Sequence, residues 1–84
     1  MTRTISIRKN ILLILERAEP YALPESQLKL ELDGSIRPPA ATAEFEDAMV
    51  FLNTHAHIAT VPDPLDDQNV KWTITETGKA LIRQ

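Results

Sequence analysis

Over residues 4–19 the apolar side chains Ile7, Ile11, Ile14, Leu15 and Ala18 recur at the spacing of an amphipathic helix. Pro20 then stops the pattern. Laid out at about 100° per residue, Ile5, Leu12 and Leu13 fall outside that stripe, so the helix is apolar on more than one side. Such a helix has to be covered twice. The chain has 84 residues, enough for a single core that removes about 60–65% of its surface from water. The second cover therefore comes either from the C-terminal segment of the same chain or from a second copy. In the second case Ile5, Leu12 and Leu13 form the face of a homodimer.

The remaining segments are short and well punctuated. Residues 21–23 read as an extended piece, after which Pro24 at a first helical position and Glu25 in the first turn open a second helix. Leu28 and Leu32 mark its buried side, and Asp33-Gly34 is expected to end it. A stiff connection over residues 35–41, with Arg37 and the Pro38-Pro39 pair, leads to Thr42, the expected N-cap of a third helix. Glu44, Glu46 and Asp47 follow where the helix dipole favours acids, and Phe45, Ala48, Met49 and Leu52 give the core stripe. Residues 58–61 and 70–74 read as strands joined by a long loop over 62–69. Thr75 caps a last helix that carries Gly78, Ala80, Leu81 and Ile82.

This order of elements, helix, short strand, helix, helix, hairpin, helix, resembles a winged helix-turn-helix domain over nearly the whole chain. The stretch Trp72-Thr73-Ile74-Thr75-Glu76-Thr77-Gly78-Lys79-Ala80-Leu81 resembles the exit from the wing in bacterial winged-helix regulators, and residues 45–58 resemble their third helix leading into the wing. The implied fold is α+β and mainly α: one domain over residues 1–84, with a three-helix core, a hairpin wing and a short C-terminal helix. The resemblance further implies a third helix in the DNA major groove and a wing against phosphates or the minor groove. Three features depart from it. Ala56 stands where those regulators often have glycine, so another exit geometry is expected, with His55 or His57 assisting. The connection between the second and third helices is longer than the three or four residues of a tight turn. The third departure is charge.

Net charge is -3, and it is unevenly placed. Residues 1–41 carry six Lys or Arg against five acids, and residues 75–84 two against one. Residues 42–74 carry Lys71 alone against Glu44, Glu46, Asp47, Asp63, Asp66 and Asp67, a balance of -5. Duplex binding depends on cations that displace counterions, so the acids sit where a DNA reader needs bases. Opposite the core stripe, the third helix presents Glu46, Asp47, Val50, Phe51 and Thr54, two apolar side chains among acids. The leading expectation is therefore a regulatory or nucleoprotein module working through protein contacts, with a protein partner or a second copy on that face. The alternative is a DNA-binding transcriptional regulator, in which Arg3, Arg8 and Lys9 are the phosphate contacts.

Other chemistry finds little support. The chain has no cysteine, which excludes disulfides and thiolate metal sites and fits a reducing, cytoplasmic setting. Its longest apolar run, residues 11–15, is far too short to span a membrane. His55 and His57 alternate as strand residues on one face do, but a third ligand is not evident. Asp63, Asp66, Asp67 and Asn69 lack the glycine and final glutamate of a calcium loop and are read as solvating the wing tip. Ser6, Ser26 and Ser35 lie in no nucleophile elbow, and two glycines make no phosphate cradle. Trp72 reads as packing. No enzyme activity, cofactor or metal is expected.

Overall fold

The computed structural model describes residues 2–83, the side chains of 63 and 66–69 excepted. Its elements are α1 (Arg3–Ala18), β1 (Leu23–Pro24), α2 (Glu25–Ser35), α3 (Thr42–Thr54), β2 (Ile58–Asp63), β3 (Asp66–Ile74) and α4 (Glu76–Ile82). The sheet is antiparallel with strand order β1-β3-β2. It is a small α+β winged helix, three helices around a core and a β2-β3 wing.

The doubly apolar first helix becomes the axis of the core. Thr2 caps it by accepting a hydrogen bond from the Ile5 N–H at 3.3 Å. Ile7, Ile11, Leu12, Ile14 and Leu15 are all buried, against Leu28 and Leu32 of α2, Phe45, Ala48, Met49 and Leu52 of α3, and Ile58 and Ile74 of the sheet. Each fully buried Leu or Ile contributes about 1.5–3 kcal/mol relative to an exposed one. No polar or charged side chain is fully buried among the described residues.

Besides a one-residue shift of α1 and an extended piece that is strand at Leu23–Pro24 rather than over 21–23, four boundaries differ from the sequence reading. Pro24 lies one position earlier than expected, as the N-cap of α2 and in β1. Gly34 does not end α2. It stays helical, and the helix closes at Ser35, with the Ser35 hydroxyl donating to the Glu31 carbonyl at 2.9 Å. Ala41, not Thr42, is the N-cap of α3. The expected long loop over 62–69 is mostly strand: β2 runs to Asp63 and β3 starts at Asp66, leaving only a tight turn at Pro64 and Leu65, with a register irregularity at Pro62/Asp63. Proline and clustered acids read locally as loop, but pairing with the partner strand outweighs that preference.

The exit from α3 also corrects the sequence reading. Ala56 takes φ +59°, the left-handed conformation that glycine usually supplies. The His57 N–H donates to the Leu52 carbonyl at 2.9 Å and the Ala56 N–H to the Asn53 carbonyl at 3.1 Å, the paired bonds of a Schellman closure. No other geometry is needed. Thr75 locks the turn from the far end of the wing, its hydroxyl donating to the Ala56 carbonyl at 2.6 Å and its N–H to the His57 carbonyl at 3.1 Å. The Thr75 oxygen also accepts from the Gly78 N–H at 3.1 Å and so caps α4.

Candidate nucleic-acid interface

Helix α3 packs on the core through Phe45, Ala48, Met49 and Leu52, which leaves Ala43, Glu46, Asp47, Val50, Asn53 and Thr54 exposed along its outer arc. Val50 is 65% exposed. Phe51 does not join them. It is half-buried, with the Arg8 guanidinium carbon 3.5 Å from its ring centre and the His55 ring centre at 4.2 Å. Its place is the seam between α1 and α3, set by a cation–π contact that residue spacing within α3 could not reveal.

The entry to α3 depends on α1. Ala41 has no side-chain acceptor, so only half of a capping box exists: Glu44 Oε1 accepts from the Ala41 N–H at 2.9 Å. Arg3 completes the anchorage. Its Nε donates to Glu44 Oε2 at 2.7 Å, and its Nη2 to Glu44 Oε1 at 3.2 Å and to the carbonyls of Pro38 and Pro39 at 2.9 and 3.1 Å. One guanidinium thus ties the α2-α3 connection, residues 36–41, to the first turn of α3. The hydrogen bond from Arg3, followed by that from the Ala41 N–H, holds the Glu44 carboxyl below the usual carboxylate range, and Glu44 in turn raises Arg3.

This arrangement changes the charge argument. Glu44 spends its charge on α1 and on the helix end, and the acids of α3 left on the outer arc are Glu46 and Asp47. The cations are redistributed too. Arg3 is committed to Glu44, and Arg8 lies over Phe51, so neither stands free as the phosphate contact expected of it. Lys9 is exposed, but it borders an apolar groove between α1, α3 and α4, away from the outer arc. Lys29 pairs with Asp33, Lys79 with Glu19 and Glu76, and Arg83 with Glu16. Among the described residues Lys9, Arg17, Arg37 and Lys71 have neither an ion pair nor a cation–π contact, and of these Arg37 lies in the connection to α3 and Lys71 in the wing. The sequence reading passed over both. Their nearness to α3 and the wing emerges only from the fold, once Arg3 and Arg8 are seen to be engaged elsewhere.

In the wing, Ile74 and Trp72 alternate toward the core, with Trp72 packed against it, while Lys71 pairs across the sheet with Val61 on the other face. The side chains of Asp63, Asp66, Asp67 and Asn69, read from sequence as solvating the tip, lie outside the described residues. His55 and His57 stack with ring centres 5.9 Å apart and 12° between planes, and His55 Nδ1 lies 2.9 Å from the Phe51 carbonyl, so the pair serves the end of α3. Of the expected dimer face, Ile5 is 49% exposed and Leu13 half-buried, but Leu12 is 1% exposed and belongs to the core of its own chain.

Solved structures resemble this chain along its length. The adhesin competence repressor AdcR of Streptococcus pyogenes superposes on 99% of this chain and 52% of its own, with a TM-score of 0.71 and 20% identity. RosR of H. salinarum covers 99% of this chain and 68% of its own, with a TM-score of 0.74 and 18% identity. The PcaV transcriptional regulator of Streptomyces coelicolor, solved with its natural ligand, covers 90% and 48%, with a TM-score of 0.68 and 20% identity. The chain spans about half the length of AdcR and PcaV. No protein-family model matches it, and no curated protein does. At these identities the likeness shows the fold, a winged helix-turn-helix.

Proposed function

We propose that this chain is the DNA-contacting module of a winged-helix transcriptional regulator, with α3 as the reading helix. The observation that carries the proposal is the free outer arc of α3, beside a wing, in a chain that matches a repressor over 99% of its length. The arc has base-edge chemistry. Asn53 suits adenine, Glu46 and Asp47 can accept from the cytosine amino group, and Val50 suits the thymine methyl. Arg37 and Lys71 are the phosphate contacts, and with so few of them the affinity rests more on base edges than on charge. Such a module works in the compartment that holds the DNA, here the cytoplasm, and requires no catalytic group.

Selection from a random pool of duplexes at low salt tests this reading. The expected result is one enriched motif whose preference is relaxed at a single position by Asn53→Ala. An unenriched pool counts against it. A protein-contact role for the same arc draws support from Val50, an exposed aliphatic side chain flanked by acids. On that reading Val50→Asp leaves duplex selection unchanged, whereas on ours it alters the motif.

A further inference from the structure

The carboxylate of Glu44 holds the Arg3 guanidinium in the way a phosphate would. Nε and Nη2 of Arg3 meet the two Glu44 oxygens at 2.7 and 3.2 Å, the two-pronged fit that a guanidinium makes with carboxylate and phosphate alike. The two side chains are 36% and 37% exposed, so the pair lies at the surface and not in the core. It also stands beside Arg37. Both arginines line one open cleft of about 450 Å3, together with the hydroxyl-bearing Thr2, Ser6 and Ser35. Guanidinium and hydroxyl groups are common donors to phosphate oxygens and sugar. The cleft borders the connection that leads into α3, and of its two cations one, Arg37, has no ion pair among the described residues, while the other is closed by Glu44.

We propose that the Arg3–Glu44 pair is an autoinhibitory contact, in which the Glu44 carboxylate occupies a guanidinium that otherwise serves as a further contact to the DNA backbone. The inference rests on the DNA-reading proposal and adds to it a phosphate site that the chain closes with its own side chain. Arg3 and the Ala41 N–H hold the Glu44 carboxyl below the usual carboxylate range, so the contact stays charged and closed at neutral pH. Glu44 has a second duty, accepting from the Ala41 N–H at 2.9 Å, and glutamine performs that duty as glutamate does. Glu44→Gln therefore keeps the entry to α3 capped while it removes the charge that retains Arg3, because an amide oxygen binds a guanidinium more weakly than a carboxylate. With the contact closed, the wild type forgoes one phosphate contact and leans further on base edges.

The test uses a labelled duplex of arbitrary sequence, because phosphate contacts do not depend on sequence, and follows anisotropy over a series of salt concentrations. The slope of log K on log salt is expected to be about -2 for the wild type and about -3 for Glu44→Gln, so a fourfold rise in salt weakens the variant about 3.5-fold more. Adding Arg3→Ala to Glu44→Gln is expected to return the slope to about -2. Glu25→Gln removes the same charge from the first turn of α2, frees no cation, and is expected to leave the wild-type slope unchanged. Nitrogen-15 NMR of the Arg3 Nε–H reads the contact directly: addition of duplex should shift this signal in Glu44→Gln and not in the wild type. Circular dichroism checks that each variant folds. A slope that Glu44→Gln leaves at the wild-type value overturns the inference while the DNA-reading proposal stands. So does a steeper slope that persists once Arg3 is removed. A wild type that binds no duplex sinks the DNA-reading proposal instead; Glu44→Gln then decides the inference by itself, supporting it if binding appears and depends on Arg3, and overturning it otherwise.

Discussion

The two ends of α3 are fastened by opposite means. At the entry, a long connection and an N-cap without an acceptor depend on one remote guanidinium, Arg3, which reaches Glu44 and two proline carbonyls. At the exit, backbone geometry does the work: Ala56 in the left-handed conformation, Thr75 bonded across the turn, and Gly78 pressed against the His57 carbonyl. The entry is electrostatic and half-exposed, so salt and pH reach it. The exit is steric, so they do not. A helix fixed this way is expected to keep its link to the wing as salt and pH change, while the loop before it, with Arg37, loosens first.

The exit offers the largest predicted effect. A Cβ at residue 78 would collide with the His57 carbonyl oxygen and lie 2.8 Å from Ile74 Cγ1, and backbone cannot move aside as a side-chain end can. Gly78→Ala is expected to cost about 3 kcal/mol in urea unfolding. A cost near zero would show that the exit is not sterically fixed. In the opposite direction, Ala56→Gly removes the strain of a left-handed alanine and is expected to add about 1 kcal/mol. A loss of stability there would contradict the closure described.

At the entry the effects are smaller and depend on conditions. Arg3→Ala is expected to lower the melting temperature slightly at neutral pH and low salt, with the difference shrinking as salt rises. The pH dependence has a definite sign. The folded Glu44 carboxyl titrates below its ordinary value of about 4.3, so its contribution is present above that value and is lost as pH falls through the lower folded one. Wild type and Arg3→Ala should therefore differ at neutral pH and converge in acid. Amide exchange should rise at residues 36–41 in the variant and stay unchanged at 55–57; equal changes at both ends would erase the contrast between them.

Much of this was visible in the residues themselves. The Ile7, Ile11, Ile14, Leu15 stripe, the Phe45, Ala48, Met49, Leu52 stripe and the Thr75 cap each follow from local spacing, and together they place the helices and the wing exit. What was hidden depends on contacts between segments far apart in sequence. Arg3 meets Glu44 across 41 positions, and Arg8 meets Phe51, so the -5 segment loses one of its acids and Phe51 leaves the outer face. Gly34 was misread because a glycine near an expected helix end satisfies the rule for a stop without being one. Leu12 was misread because angle alone does not show where α4 lies. The leading sequence expectation of a protein-contact module rested on a charge sum that treated paired and free acids alike.

The DNA-reading claim is tested most directly by the anisotropy of labelled duplex carrying the selected motif, titrated with the protein over a series of salt concentrations. Two phosphate contacts predict that log K falls with log salt at a slope of about -2, and that Arg37→Ala combined with Lys71→Ala brings it close to zero. Absence of binding at the lowest salt, or a slope unchanged in the double variant, would contradict the claim.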